Sequence, residues 1–124
     1  MIEKVAINTG PLRSGHSVRG IGVHTKELLD AIDKVKHNFK DVEIFPVDFS
    51  KEKLAKYSLA HFTSFNPYFI SLPLKKPTKK TILTIHDLIY LIYPNKYPAG
   101  LKGKIRYIIQ KFLLQIVTGK QNKD

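Results

Sequence analysis

The residues with the clearest potential for chemistry are His86 and Asp87, which directly follow the apolar run Thr81–Ile85. Histidine changes its charge near neutral pH, and ligands of open α/β sheets usually bind beyond the ends of buried strands. The sequence therefore predicts an ionisable pair at the mouth of a binding crevice. A purely structural role for His86 stays open, because no nucleophile or base partner stands at a characteristic spacing.

A second candidate site is the pair Gly20 and Gly22, which precedes an amphipathic segment. Glycines at the start of a helix let backbone N–H groups approach an anion, and the helix dipole favours negative charge there. A dinucleotide-binding fingerprint would need a third glycine where Thr25 stands, and no Gly-Lys-Ser/Thr triplet occurs. The glycines thus indicate either a weak phosphate-binding loop or only a flexible connection.

The other histidines and the acidic residues do not form a metal-binding motif. His24, at the start of the predicted helix, and His61, at the end of a predicted strand, are weaker candidates than His86. The sequence has no His-Glu-x-x-His motif, no paired carboxylates, no calcium loop and no cysteine. We therefore expect no intrinsic metal site and no cofactor, and we exclude disulfides and cysteine nucleophiles.

The charge balance indicates an anionic partner. The 124 residues include 21 Lys and Arg against 10 Asp and Glu, which gives a net charge of +11. The basic residues cluster at 75–80 and again at Lys102, Lys104, Arg106 and Lys111. A basic module that docks on an anionic membrane surface or on nucleic acid is one interpretation, and a solvated face is the other. Specific nucleic-acid recognition is least favoured, because no zinc finger, helix-turn-helix or RNA-recognition pattern is present.

The apolar segments argue against export and predict no membrane span. Residues 1–7 lack the long apolar core and cleavage site of a signal peptide, and the longest apolar stretch is too short for a bilayer. The sequence therefore predicts a cytoplasmic protein, with peripheral attachment to the inner membrane face as an option.

Alternation and helical periodicity predict the elements that must position these residues. We expect strands over Ile2–Ile7, Val42–Val47, Ser58–Phe62 and Thr81–Ile85, helices over Gly22–Val35 and Leu101–Ile116, and a short helical connector within Ser50–Tyr57. Seven apolar residues of the final helix should face the sheet (Leu101, Ile105, Ile108, Ile109, Phe112, Leu113 and Ile116). The order of elements predicts an α/β fold with a parallel sheet, a domain over residues 1–118 and a polar tail over 119–124.

Two sequence motifs occur in a fixed order along the chain. The first is RGIGVHTKELL at 19–29, after a strand and a glycine-bearing loop. The second is ILTIHDL at 82–88, followed by Tyr-Pro at 93–94 and 97–98 and by IQK at 109–111. Together they resemble the N-terminal domain of the retaining, sugar-nucleotide-dependent glycosyltransferases of family 4. The resemblance covers residues 1–117 and implies a Rossmann-like domain of the two-domain GT-B fold.

The resemblance implies specific roles for matching residues. Gly20 and Gly22 would approach the donor phosphates, His86 would lie beside the transferring sugar, and Asp87 would orient His86 or its loop. The acceptor side would include Arg19, His24, Thr63, Ser64 and Asn66. Enzymes of the family transfer a sugar from a nucleotide-sugar donor to an acceptor, which can be a sugar or a lipid-linked molecule, with retention of configuration at the anomeric carbon.

The sequence departs from the family pattern in two respects. Ser58 stands where an acidic residue often precedes the third strand, and the donor-site glutamate motif of the C-terminal domain does not occur. We therefore expect an incomplete, truncated or split hexosyl-type transferase that is inactive alone. It would meet a nucleotide-sugar donor only with a C-terminal domain or a partner chain.

Overall fold

The fold of the chain is given by a computed structural model that describes residues 2–13, 20–65, 72–86 and 100–118. Its strands are β1 (Glu3–Asn8), β2 (Val42–Val47), β3 (Leu59–Phe62) and β4 (Lys80–Leu83), and its helices are α1 (Gly20–Val35) and α2 (Gly100–Thr118). Short 3-10 turns occupy Gly10–Leu12, Lys36–Asn38 and Leu54–Lys56. Every strand and helix predicted from the sequence is present, with ends that differ by at most two residues.

The strands form one parallel sheet in the order β2-β1-β3-β4. Ile7 of β1 is level with Pro46 on one side and His61 on the other. The chain runs from β1 through α1 to β2 at one edge and then returns to β3 on the other side of β1. The predicted parallel α/β sheet is confirmed, and its topological switch point lies between β1 and β3.

The two helices cover opposite faces of the sheet. Successive residues of a strand point to opposite faces, and Ala60 and Phe62 of β3 belong to a buried cluster that also contains Leu113 and Val117 of α2. His61, between them in the sequence, lies close enough to His24 of α1 for the two charges to interact. The α2 face therefore carries the main apolar core, while the α1 face carries the histidines.

The prediction for the buried face of α2 is wrong. Leu101, Ile105, Ile108, Ile109 and Phe112 are exposed, and only Leu113 of the predicted stripe is fully buried. The buried positions are instead Gly103, Gln110, Leu113 and Val117. The helix is apolar on more than one side, so periodicity alone could not predict which side is buried. Gly103 has no side chain, which lets this part of the helix approach its neighbours closely.

Helix α1 packs less completely than α2. Gly22 and Thr25 are its buried residues, and the Thr25 hydroxyl donates to the Ile21 carbonyl one turn earlier at 2.8 Å. Leu29 and Ile32 are half-buried and line an open groove against β2. Among the described residues, no helix combines the length and the apolar character that crossing a membrane requires.

Candidate functional site

Thr63 joins the ends of two neighbouring strands at the switch point. It follows β3 directly, is fully buried, and donates its hydroxyl to the carbonyl of Asn8, the last residue of β1, at 2.8 Å. Parallel strands end at the same edge of the sheet, so this hydrogen bond fixes the floor of the crevice between β1 and β3. The predicted site residue Thr63 is thus at the centre of the carboxyl edge.

His86 is held against the same point. Its Nε2 lies 2.8 Å from the Thr63 carbonyl oxygen, and the backbone N–H of Thr84 donates to the Phe62 carbonyl at 2.9 Å. Because a carbonyl oxygen only accepts, Nε2 must carry a proton and donate it. In the neutral ring, Nδ1 is then the nitrogen that accepts a hydrogen bond, for example from a ligand hydroxyl.

His24 lies beside His86, although the two residues are 62 positions apart in the sequence. Their ring centroids are 4.8 Å apart and the rings meet edge to face, at 80°. Both residues are exposed to solvent at the carboxyl edge. Helix α1 thus brings the His24 imidazole into contact with the His86 imidazole, which follows β4.

His61 completes a cluster of imidazoles on the α1 face. Its Nε2 lies 2.7 Å from the Thr84 hydroxyl, which can donate or accept. Burial lowers the pKa of His61 below its ordinary value of 6.5, and the nearby His24 lowers this pKa further. His61 is therefore neutral at pH 7, whereas His24 and His86 are the cluster members that meet solvent.

Asn8 connects this cluster to a cavity on the α2 face. Its side-chain oxygen accepts hydrogen bonds from the backbone N–H groups of Gly10, at 3.0 Å, and Phe49, at 3.2 Å. A Cβ atom at Gly10 would lie only 3.2 Å from this oxygen, so glycine keeps the turn close. The cavity has a volume of about 610 Å³ and is lined by Asn8, Gly10, Arg13, Asp48, Phe49, Ser50, Leu54, Phe62, Leu72 and Pro73.

The cavity combines a carboxylate, a guanidinium and aromatic rings. Asp48 accepts hydrogen bonds from the Ser50 hydroxyl at 2.7 Å and the Ser50 backbone N–H at 3.0 Å, which hold the pKa of the Asp48 carboxyl below its ordinary value. Arg13 lies 3.8 Å from the same carboxyl group. Phe49 and Phe62 meet edge to face, 5.0 Å between centroids. Such a lining suits a polyhydroxyl ligand, which needs both donors and acceptors beside apolar surface.

The structure places some predicted site residues elsewhere. Gly20 and Gly22 are not in a loop, because both lie in the first turn of α1, where the backbone N–H groups have no acceptor within the helix. A Cβ atom at Gly20 would meet nothing within 4 Å, so packing does not require a glycine there. Ser64 is half-buried next to Thr63. The predicted site residues Arg19, Asn66 and Asp87 lie outside the described residues.

Sequence reasoning missed Asn8, Arg13 and Asp48. The turn-capping role of Asn8 could have been predicted, because an asparagine at the end of a strand, shortly before Gly-Pro, is typical of a side chain that caps the following turn. Arg13 and Asp48 are 35 positions apart and become neighbours only through the β1-β2 pairing. Within the part of the chain that the structure describes, no group of three or more His, Cys, Asp or Glu side chains is arranged to hold a metal ion.

Comparisons with known proteins found no match for this chain. No protein-family model, no curated protein and no solved structure matches the chain. The resemblance to family 4 glycosyltransferases therefore stays a prediction from the two sequence motifs.

Proposed function

We propose that this chain is the acceptor-side domain of a retaining, family 4 type glycosyltransferase with the GT-B fold. It would bind a polyhydroxyl acceptor at the carboxyl edge of its sheet, and a donor-binding domain on the same or another chain would hold the nucleotide-sugar. The observation that carries the proposal is the convergence of His24, Thr63 and His86 at the switch point between β1 and β3.

The chemistry of the carboxyl edge supports this assignment. His86 presents Nδ1 as an acceptor when neutral, while the adjacent cavity offers the ionised Asp48 carboxylate and the Arg13 guanidinium. Vicinal hydroxyl groups of a sugar are matched by such a mixture of donors and acceptors. The absence of cysteine fits a reducing compartment, so the proposal includes a cytoplasmic location.

The first test is an NMR titration of the ¹³C,¹⁵N-labelled chain with a panel of methyl hexosides and hexose 6-phosphates. Binding should shift the ring signals of His24 and His86 more than those of His37, which is exposed in the turn after α1. His86→Ala should weaken the affinity about tenfold, which is the loss expected when one hydrogen bond to the ligand is removed, and His37→Ala should leave the affinity unchanged. Shifts confined to other parts of the chain, or no shift with any member of the panel, would contradict the proposal.

A second test concerns the cavity. Asp48→Asn removes the negative charge but keeps the shape, and we expect weaker binding of the same methyl hexosides. Glu43→Gln is the matched control, because Glu43 is an exposed carboxylate in β2 that does not line the cavity.

Binding of a neutral hexoside should respond little to salt, in contrast to phosphate-driven association.

A third test concerns the division of labour between domains. Assays with nucleotide-sugar donors should detect no sugar transfer by the chain alone, since the proposal assigns it only the acceptor side. Robust transfer by the isolated chain would overturn that assignment even if the sugar titration succeeds.

A further inference from the structure

The outer surface of α2 carries a continuous apolar face. It consists of Leu101, Ile105, Ile108, Ile109 and Phe112, and the most exposed of them are Leu101 at 76%, Ile108 at 68% and Phe112 at 62%. These positions recur at the spacing of one side of a helix. Large apolar side chains gathered on one exposed surface are rare in soluble domains and mark sites of interaction.

Basic residues flank the apolar face on both sides. At 100° per residue, Lys104 and Lys111 fall beyond one border of the face, and Lys102 and Arg106 fall beyond the other. All four are exposed, and the Lys111 ammonium lies 5.8 Å from the centroid of the Tyr107 ring. The helix contains no Asp or Glu over its 19 residues.

The charges around the apolar face indicate which kind of partner can cover it. A second copy of the chain would bring together two faces of the same positive sign on molecules of net charge +11, which is unfavourable. Four of the five side chains of the face are aliphatic, whereas the residues that supply most of the binding energy at protein interfaces are enriched in Trp, Tyr and Arg. Leu, Ile and Phe between rows of Lys and Arg are instead the composition of helices that lie in the headgroup region of anionic bilayers.

We propose that the apolar face of α2 docks on an anionic phospholipid surface. The helix would lie parallel to the bilayer plane, with its apolar side chains among the upper acyl chains and its basic residues at the level of the phosphates. The buried side of α2, with Gln110, Leu113 and Val117, would stay packed within the domain. This inference does not depend on the proposed function, because it uses no residue of the carboxyl edge.

The first experiment is co-sedimentation with vesicles of phosphatidylcholine alone or mixed with phosphatidylglycerol. The chain should bind only the mixed vesicles. Lys104→Glu with Lys111→Glu should weaken binding about tenfold or more, because each basic residue near an anionic surface contributes appreciably. Lys34→Glu with Lys40→Glu is the matched control: it causes the same change in net charge at exposed positions away from α2. Equal losses in both variants would overturn the proposal, since they would show attraction by net charge alone.

The second experiment reports insertion directly. The chain has no tryptophan, so Phe112→Trp supplies a single fluorophore on the apolar face, and Phe39→Trp supplies a control at another exposed phenylalanine. Mixed vesicles should shift the emission of the tryptophan at 112 to shorter wavelength and leave that at 39 unchanged. No shift at 112 on vesicle-bound protein would overturn the proposal.

Light scattering after gel filtration distinguishes other occupants of the face. The chain should be monomeric without vesicles. A dimer that Ile108→Glu disrupts would show that a second copy covers the apolar face, and it would overturn the assignment to lipid. Circular dichroism of each variant at the same concentration checks that α2 stays folded.

Discussion

The two faces of the sheet differ in what they do for the protein. The α2 face holds the main buried cluster, in which Ala60 and Phe62 meet Leu113 and Val117. The α1 face is only half-covered, since Leu29 and Ile32 border an open groove, and it holds His24 and His61. The folding free energy of this domain therefore comes mainly from one face of the sheet, while the histidines are grouped on the other.

The helices themselves show the same contrast. Helix α1 mixes Lys26 and Lys34 with Glu27, Asp30 and Asp33, so its outer side is an ordinary solvated surface. Helix α2 has no acidic residue and exposes its largest apolar side chains. A surface of this kind is not needed for the fold.

The largest effect should come from truncation in the α2 core. Leu113 is 1% exposed, and Leu113→Ala should lower the free energy of unfolding by about 2–5 kcal/mol, because the transfer energy is lost and a cavity remains. Ile108→Ala, on the exposed side of the same helix, should change it by less than about 0.5 kcal/mol. Urea unfolding followed by circular dichroism measures both values, and similar losses would refute the assignment of the two sides of α2.

A smaller effect is expected at the junction of the strands. Thr63→Val removes the hydroxyl that bonds the Asn8 carbonyl and should cost about 1 kcal/mol of unfolding free energy. Thr25→Val is the matched substitution on the α1 face. Its hydroxyl bonds only a carbonyl of its own helix, so its loss should cost less. If Thr25→Val proved the more damaging, the junction at Thr63 would not be the critical hydrogen bond.

The next effect is visible only as a pH dependence. The pKa of His61 is lowered from 6.5 in the folded state, so the unfolded chain takes up the proton more readily. Stability from this group is therefore complete above pH 6.5 and is lost as the pH falls from 6.5 toward the lower folded pKa. His61→Gln should flatten this part of the stability curve, measured by urea unfolding at several pH values. His37→Gln, which removes an exposed imidazole, should leave the curve's shape intact.

The smallest effect is expected on the outer side of the α1 end. The Lys36 ammonium lies 2.6 Å from the Asp33 carboxylate, and both side chains are mostly exposed. Solvent and salt screen such a pair, so Lys36→Gln should leave the midpoint of urea unfolding unchanged within error. A clear loss of stability would show that the turn after α1 contributes more than its packing indicates.

The fold was predictable because β-branched runs such as Thr81–Ile85 and the helical spacing of Leu28, Leu29 and Ile32 are local signals. The position of His86 at the carboxyl edge followed from strand order, and the structure confirms it. Its contact with His24 and the pairing of Arg13 with Asp48 depend on which strands are neighbours, and no local pattern encodes that. The buried side of α2 also escaped prediction, because Gly103 and Gln110 are not apolar.

The outer strands of the sheet determine whether folded copies of the chain can pair edge to edge at high concentration. Among the described strands, β2 and β4 are the outer ones, and each carries a residue that interferes with further strand pairing. Pro46 lacks the N–H that a neighbouring strand would need, and Lys80 brings a positive charge to the start of β4, where it contacts Glu3. Edge-to-edge pairing between folded copies, which could lead to amyloid-like aggregates, is therefore disfavoured at both of these outer strands.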